Sequence, residues 1–198
     1  MSAVYAHAHQ LADVGYAVLP AARDKRPLTR RGVRDASRDH NRIDGWAAKY
    51  PDANLAVACG ERSGGLVAVD IDRQDLARAN GRFRQPCTPA VRTSRGLHLW
   101  CSSTRPFRTQ KVTWGELRGE DSYIIAPPSR HLTGPNYEWL VPLDYEELLP
   151  VEALSSFLPG IDAALESAFR SETSYLSLPT EVPTEVPTRF PESEWNWK

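Results

Sequence analysis

The chain has 198 residues, with 24 lysines and arginines, 25 aspartates and glutamates, and a formal net charge of −1. This length is enough for one substantial hydrophobic core, or for one domain built of two lobes, with room for a tail. The near-neutral charge excludes the strongly basic composition that by itself indicates a nucleic-acid partner. No apolar run approaches the ~20 residues that cross a bilayer, and the N-terminus lacks the order of a signal peptide. We therefore expect a cytoplasmic protein with no membrane partner.

The three cysteines, Cys59, Cys87 and Cys101, lie far apart, without a C-x-x-C motif or a neighbouring pair of histidines. This spacing argues against a structural zinc site and against a disulfide framework. We expect no zinc and a reducing environment.

Apolar spacing and apolar runs predict an alternation of helices and strands. Helices are predicted over residues 4–14, 42–50 and 76–80, and a further helix begins at Pro150. Strands are predicted over residues 16–19 (closed by Pro20), 55–58, 66–72, 97–100, 112–118, 123–126 and 137–141. This mixture predicts an α/β protein.

The strand over residues 66–72 ends in two acids, Asp70 and Asp72, one residue apart. Side chains alternate along a strand, so both carboxylates point to the same face and repel each other. A divalent cation would hold them together, and oxygen ligands of this kind suit magnesium or manganese. The alternative is that the strand runs out into a polar turn in which both acids are solvated.

Two later strands carry polar side chains that suit phosphate or metal chemistry. In the turn and strand from Ser94 to Trp100, His98 faces away from the leucines on either side of it. On the strand over 112–118, alternation places Trp114, Glu116 and Arg118 on one side. Glu116 and Arg118 form either a plain surface ion pair or a metal ligand beside a phosphate-binding cation. Pro127 and Pro128 then stop the strand over 123–126 and present Ser129 and His131.

The composition changes after Gly160, where residues 161–170 extend a helix and residues 179–188 form a Pro/Thr/Glu-rich repeat. Such a repeat cannot bury much surface, so we expect an extended linker. We therefore expect a catalytic domain over residues 1–160 and a tail over 161–198 that leads to a further domain.

The order of these motifs resembles that of the archaeo-eukaryotic primase superfamily, and more narrowly the bifunctional primase-polymerase (prim-pol) domain of plasmid and phage replication proteins. The residues that carry the resemblance are Lys25 to Leu28, Pro51 to Ala58, Leu66 to Asp72, Thr93 to Trp100, Gly115 to Gly119 and Ala126 to Ser129. The resemblance spans about residues 5–140 and implies a two-lobed α+β fold. One lobe would carry strands and helices, and a smaller, mostly antiparallel RRM-like sheet would carry His98 and Glu116. The active site would lie in the cleft between them.

The resemblance also implies the roles of individual residues. Asp70, Asp72 and Glu116 would be catalytic and would hold a pair of Mg²⁺ or Mn²⁺ ions. His98 would be catalytic and would contact the nucleotide phosphates, together with Ser94, Arg95, Arg118, Ser129 and His131. Arg95 stands where relatives usually carry a glycine, and Glu116 where aspartate is also common. No counterpart of the zinc-bearing insertion of some archaeal relatives is present.

The function that the resemblance implies is a template-dependent primase and polymerase, which makes short RNA or DNA strands from NTPs or dNTPs on single-stranded DNA. Its setting would be phage or plasmid replication in a bacterial or archaeal host cell. Two basic sets are candidates for binding the template DNA or an initiating nucleotide: the segment from Arg23 to Arg38, which includes Lys25, Arg26, Arg30 and Arg31, and the group Arg105, Arg108 and Lys111. The alternative for either set is a plain solvated face. The sequence contains no P-loop motif, so any helicase domain would lie elsewhere in a longer full-length chain.

The alternatives are a metal-dependent nuclease, since acids with divalent metals also serve hydrolysis, and a non-catalytic replication-initiation module that binds DNA and pairs its acids structurally.

Overall fold

The computed structural model describes residues 2–72, 88–143, 147–156, 158 and 160–170. Within these residues it contains three α-helices: α1 (Ala3–Asp13), α2 (His40–Lys49) and α3 (Ile161–Arg170). The strands are β1 (Val18–Ala21), β2 (Asn54–Ala58), β3 (Leu66–Asp72), β4 (Ala90–Arg92), β5 (Gly96–Ser102), β6 (Gln110–Val112), β7 (Gly115–Arg118), β8 (Tyr123–Ala126), β9 (Glu138–Val141) and β10 (Leu149–Pro150). The predicted helix over 76–80 and the predicted linker over 179–188 lie outside the described residues. The mixed α/β prediction is confirmed.

The first sheet has the strand order β1-β2-β8 and is antiparallel. Helices α1 and α2 pack on it through apolar side chains such as Leu11 and Ile43, both fully buried. The hydroxyl of Tyr5 donates to the carbonyl oxygens of Trp46 and Tyr50, at 3.0 and 2.8 Å, and so joins α1 to the end of α2. This unit is the helix-bearing lobe that the sequence predicted.

The second sheet has the order β6-β7-β3-β5-β4-β9, with β10 pairing in parallel beside β5. The prediction of a smaller second sheet is wrong, because this sheet is larger than the first. It also includes β3, so the two acids lie in the same sheet as His98 and Glu116. Pairing between distant strands decides this grouping, and no local pattern in the sequence encodes it.

The two faces of β3 lie in two different cores. Val67, Val69 and Ile71 belong to a core that also contains Ile161 and Leu165 of α3. Leu66 and Ala68, on the other face, belong to the core shared with the first sheet and its helices. Asp70 and Asp72 continue this second face. The acids therefore lie where the face of the sheet leaves its apolar core.

The predicted single strand over 112–118 is wrong, because β6 and β7 form a hairpin here. Val112 pairs with Gly115, which leaves Thr113 and Trp114 as a two-residue loop. The loop breaks the alternation, so Trp114 is buried in the core with Leu117 while Glu116 lies on the opposite face.

Two other boundaries differ from the prediction. Pro20 does not close the first strand but lies inside β1, opposite Leu55, and Leu28 donates to its carbonyl oxygen. An edge strand tolerates a proline, since the missing N–H belongs to the unpaired side. The segment after Pro150 begins as a 3₁₀ helix over Val151–Ser156 rather than as an α-helix.

Helix α3 is amphipathic and packs its apolar side on the second core. Phe169 meets Phe107 edge to face, with ring centroids 5.7 Å apart, and the guanidinium of Arg105 lies over the same ring. None of the helices in the described ranges has both the length and the apolar character of a membrane-crossing segment.

Candidate active site

Three neighbouring strands place one polar residue each in a row across the second sheet. In the antiparallel register, Asp70 of β3 lies directly opposite His98 of β5 on one side and Glu116 of β7 on the other. Side chains directly opposite each other in such a pair share a face, with Cβ atoms about 5 Å apart. The sheet register therefore brings together three of the residues that the sequence analysis singled out. We refer to His98, Asp70 and Glu116 as the polar row.

Arg118 links the two acids of the polar row. Its Nη2 lies 2.7 Å from Glu116 Oε2 and 3.1 Å from Asp70 Oδ2. The side chains of Asp70, Glu116 and Arg118 are 23%, 28% and 29% exposed. This cluster is half-buried, so its carboxylates are held in place and remain accessible to a ligand.

His98 is buried beside Asp70, with its Nε2 3.5 Å from Asp70 Oδ1. Burial lowers the pKa of His98 to about 4, and the nearby Asp70 carboxylate offsets only part of this effect. The ring is therefore neutral near pH 7 and would act on a ligand as a hydrogen-bonding group rather than as a cation. In the part of the chain that the structure describes, its buried Nδ1 has no hydrogen-bond partner.

The turn before β5 carries Ser94 and Arg95 past the polar row. Thr93 holds this turn, since its Oγ1 accepts from the backbone N–H of Gly96 at 3.0 Å and of Arg95 at 3.3 Å. Arg95 is exposed, and its Nε lies 3.6 Å from Asp72 Oδ1. The arginine at this position thus places a second cation beside the acids.

Loop residues from later in the chain also reach the site. A Cβ on Gly134 would lie 2.8 Å from Ser94 Cβ and 3.0 Å from His131 Nδ1, so this glycine lets the two residues approach each other closely. Tyr137 is buried with its ring centroid 6.1 Å from that of His98 and 6.2 Å from that of His131. Burial, followed by the charge of Asp70, raises the pKa of Tyr137 to about 12. Sequence reasoning missed Tyr137, since a tyrosine at the start of an apolar strand carries no signal of its own.

Lys25 approaches the same acids from the loop after β1. The surrounding protein removes part of its hydration and lowers the pKa of its ammonium, while Asp70 opposes this shift and Arg95 adds to it. Lys25 has a positive φ of 74°, and its carbonyl oxygen accepts from the hydroxyl of Tyr123 at 3.0 Å. The sequence analysis placed Lys25 among the DNA-binding candidates; its side chain is exposed and also interacts electrostatically with Asp70 and Arg95.

Ser129 does not join the site. It is fully buried, and its hydroxyl accepts from the backbone N–H of Leu55 at 2.8 Å. The same oxygen lies 3.2 Å from the carbonyl oxygen of Leu55, to which it donates. Because both hydrogen-bonding functions are used inside the protein, we assign Ser129 to the support of this segment and leave it out of the proposed nucleotide-binding set.

We predict that Ser129→Ala lowers stability and leaves the affinity for nucleotides unchanged. The change leaves the buried N–H of Leu55 without its partner, at a cost of about 1–3 kcal/mol. Thermal unfolding and the KM for the incoming nucleotide would measure the two effects. A raised KM without a loss of stability would return Ser129 to the nucleotide-binding set.

The other predicted DNA-binding residues are dispersed, and two of them are paired. Arg26 binds Asp24 at 2.6 Å, and Arg31 binds Asp35 at 2.8 Å. The remaining candidates, Arg30, Arg108 and Lys111, are exposed. In the register of β6 and β7, Lys111 lies directly opposite Glu116, so it lies beside the polar row at the edge of the second sheet.

The donor set fits a hard divalent cation such as Mg²⁺ or Mn²⁺. Asp70 and Glu116 supply oxygen ligands only, and both already contact one positively charged nitrogen, Nη2 of Arg118. Asp72 lies on the same face of β3. Among the described residues, no group of three or more acids, histidines or cysteines is already gathered around one point. Of the three predicted metal ligands, Asp70 and Glu116 therefore meet at the guanidinium group of Arg118, and Asp72 pairs with Arg95 instead.

The lowered pKa of His98 predicts that the protein loses stability as the pH falls. The measurement uses protein treated with a chelator, so that no bound metal ion contributes to the pH dependence. The unfolded chain protonates near the ordinary pKa of 6.5, whereas the folded chain protonates only near 4. As the pH falls from 6.5 to 4, the unfolded state takes up the proton first, so this group reduces stability by up to about 3 kcal/mol. Denaturant unfolding at several pH values would measure this loss. His98→Gln should flatten the curve over this window, and an unaltered curve would contradict the assignment.

Comparison with known families gives an independent view of these residues. The model of the family described as bifunctional DNA primase/polymerase, N-terminal, matches residues 8–153, well over half of the chain. The match includes the whole polar row, Arg118 and both loops that reach it, and it confirms the resemblance found in the sequence. A comparison with curated proteins finds no match to this chain.

Proposed function

From the premise that this chain belongs to the family of bifunctional DNA primase/polymerase N-terminal domains, we propose that it synthesises short strands from NTPs or dNTPs on a single-stranded DNA template. The observation that carries the proposal is the polar row with Arg118 across it. The setting proposed is phage or plasmid replication in a bacterial or archaeal cell, with a helicase domain elsewhere in a longer protein.

In the proposed reaction a 3′-hydroxyl attacks the α-phosphate of the incoming nucleotide, and pyrophosphate leaves. Asp70, Glu116 and Asp72 would hold two divalent ions, which stabilise the charge on the attacking and leaving oxygens when bound. The side chains of the protein would bind and orient the triphosphate.

Four side chains suit the triphosphate by position and charge. Arg118 and Arg95 already contact the acids, at 2.7 and 3.6 Å, and provide guanidinium groups that pair well with phosphate oxygens. Lys25 adds an ammonium near Asp70. His98, which is neutral, would donate a hydrogen bond to a phosphate without adding charge. Ser94 and His131 lie beside these groups.

The two alternatives predict different behaviour. A nuclease needs no triphosphate site, whereas here two arginines, Arg118 and Arg95, lie 2.7 and 3.6 Å from the acids. A module that uses its acids only as structural pairs needs no access to them, whereas the side chains of Asp70 and Glu116 remain about a quarter exposed and open to a ligand. Both observations favour nucleotidyl transfer.

The test incubates the protein with single-stranded DNA, α-labelled nucleoside triphosphates and Mg²⁺ or Mn²⁺. We expect short labelled strands from the unaltered protein and none from the double variant Asp70→Asn, Asp72→Asn. Loss of end-labelled DNA without nucleotides would favour the nuclease. DNA binding with no synthesis under either metal would favour the non-catalytic module.

A further inference from the structure

A second polar cleft lies beside the candidate active site. It has a volume of about 330 Å³ and is lined by Arg23, Arg130, Ser2, Asp52, Asn54 and Asn136 among others. We refer to it as the arginine cleft. Arg23 begins the first basic segment that the sequence analysis considered for DNA binding, whereas Arg130 was not a candidate there.

A buried side chain fixes the backbone of Arg130. Asn54, only 3% exposed, donates from its Nδ2 to the carbonyl oxygen of Arg130 at 2.8 Å. The Oδ1 of the same amide accepts from the backbone N–H of Arg130 at 2.9 Å. A buried amide that uses both groups on one residue holds that residue at a defined place relative to the sheet. The preceding residue, Ser129, is fixed in a similar way, because its hydroxyl is hydrogen-bonded to both backbone groups of Leu55.

Two pairs of adjacent residues connect the arginine cleft to the loops that reach the active site. Arg130 lines the cleft, and the next residue, His131, lies against Ser94 across Gly134. Asn136 lines the cleft, and the next residue, Tyr137, packs near His98. The cleft and the active site are therefore built partly from the same two loop segments.

The charges of the cleft are available to a ligand. Arg26 and Arg31, in the same part of the sequence as Arg23, are neutralised by Asp24 and Asp35. Within the described ranges, neither Arg23 nor Arg130 has an acidic partner within ion-pair distance. Asp52 also lines the cleft, so its charged side chains leave an excess of one positive charge.

We propose that the arginine cleft binds the phosphodiester backbone of single-stranded DNA where the template leaves the active site. This inference rests on the proposed function and assigns its template contacts to Arg23 and Arg130. Guanidinium groups suit phosphate oxygens, and the exposed amide of Asn136 adds a neutral donor. No aromatic ring is present among the described lining residues, so the cleft contacts backbone rather than stacked bases and is indifferent to sequence.

The test measures the affinity of the full chain for a fluorescent oligodeoxythymidylate by anisotropy over a series of salt concentrations. Each phosphate contact to a single strand contributes about 0.7 to the slope of log K against log salt. The double variant Arg23→Ala, Arg130→Ala should bind about tenfold more weakly at low salt and lose about 1.4 of that slope. Arg62→Ala, a change at an exposed arginine outside the cleft, should alter neither value.

A second variant separates charge from shape. Arg23→Lys, Arg130→Lys keeps both charges, so most of the salt slope should remain. An unchanged slope in the alanine variant, with its thermal unfolding intact, would overturn the inference. So would a raised KM for nucleotides with unchanged DNA affinity, since the cleft would then hold a nucleotide.

The outcome for the cleft is distinguishable from that for the proposed function, because anisotropy needs no catalysis. If the unaltered protein synthesises strands and the alanine variant binds DNA as tightly as it does, the inference about the cleft is wrong and the proposed function stands. If the alanine variant binds DNA more weakly but the unaltered protein makes no strands, the proposed function is wrong and the assignment of the cleft to DNA binding stands.

Discussion

Replacing Asp70 by asparagine should reduce the rate of strand synthesis by about a thousandfold, which corresponds to about 4 kcal/mol of lost transition-state stabilisation. Asp70 lies at the centre of the polar row, opposite both His98 and Glu116. Asparagine keeps the shape of the side chain but removes its charge, and with it the ability to help hold a divalent ion. Initial rates of labelled nucleotide incorporation would measure the effect.

The fold should tolerate this change. Arg118 retains Glu116 at 2.7 Å, and the side chain of Asp70 is partly exposed, so no buried charge is left without a partner. The matched control is Asp121→Asn, the same chemical change at an exposed acid outside the row, which should leave the rate unaltered. If Asp70→Asn retains activity within about threefold of the unaltered protein while Asp121→Asn behaves as expected, Asp70 has no role in the transfer.

Replacing Gly115 by alanine should cause a large loss of stability. A Cβ at this position would lie 1.9 Å from the carbonyl oxygen of Asp70, well inside van der Waals contact. Strands β3 and β7 must then separate at the pair of Ile71 with Gly115, next to the pair that joins Asp70 to Glu116. We expect a loss of about 3 kcal/mol or more, which corresponds to about 6–12 °C in Tm, and a loss of activity with it.

Gly45 offers a matched control inside helix α2. A Cβ on Gly45 meets nothing within 4 Å, so Gly45→Ala should raise stability by about 0.5–1 kcal/mol through helix propensity. Thermal unfolding of both variants measures the contrast. A Gly115→Ala protein as stable as the unaltered chain would show that β3 and β7 do not approach as closely as described.

The parts of the site that depend on local alternation could be predicted from the sequence. Because side chains alternate along a strand, Asp70 and Asp72 lie on one face of β3. For the same reason His98 lies on the opposite face of β5 from Leu97 and Leu99. These relations need no knowledge of which strands are neighbours. The same rule failed at Trp114, because a two-residue hairpin loop interrupts the alternation without a glycine or asparagine in the loop to mark it.

The parts that depend on contacts between distant segments could not be predicted from the sequence. The register that sets His98, Asp70 and Glu116 side by side joins strands separated by loops, and sequence periodicity says nothing about it. Lys25 and Tyr137 reach the site from two loops far apart in the chain. Ser129 shows the opposite case, since a polar residue after two prolines suggested a ligand contact and instead supports the backbone of Leu55.

The most direct test of the central claim is the fate of the γ-phosphate of the first nucleotide. A strand begun without a primer keeps the 5′-triphosphate of its first nucleotide, so γ-labelled NTP or dNTP enters the product only by new initiation. On circular single-stranded DNA without primer, we expect γ-labelled short strands from the unaltered protein and none from Asp70→Asn. A γ-labelled product of equal yield from Asp70→Asn, or no labelled strand from the unaltered protein with either Mg²⁺ or Mn²⁺, would contradict the account.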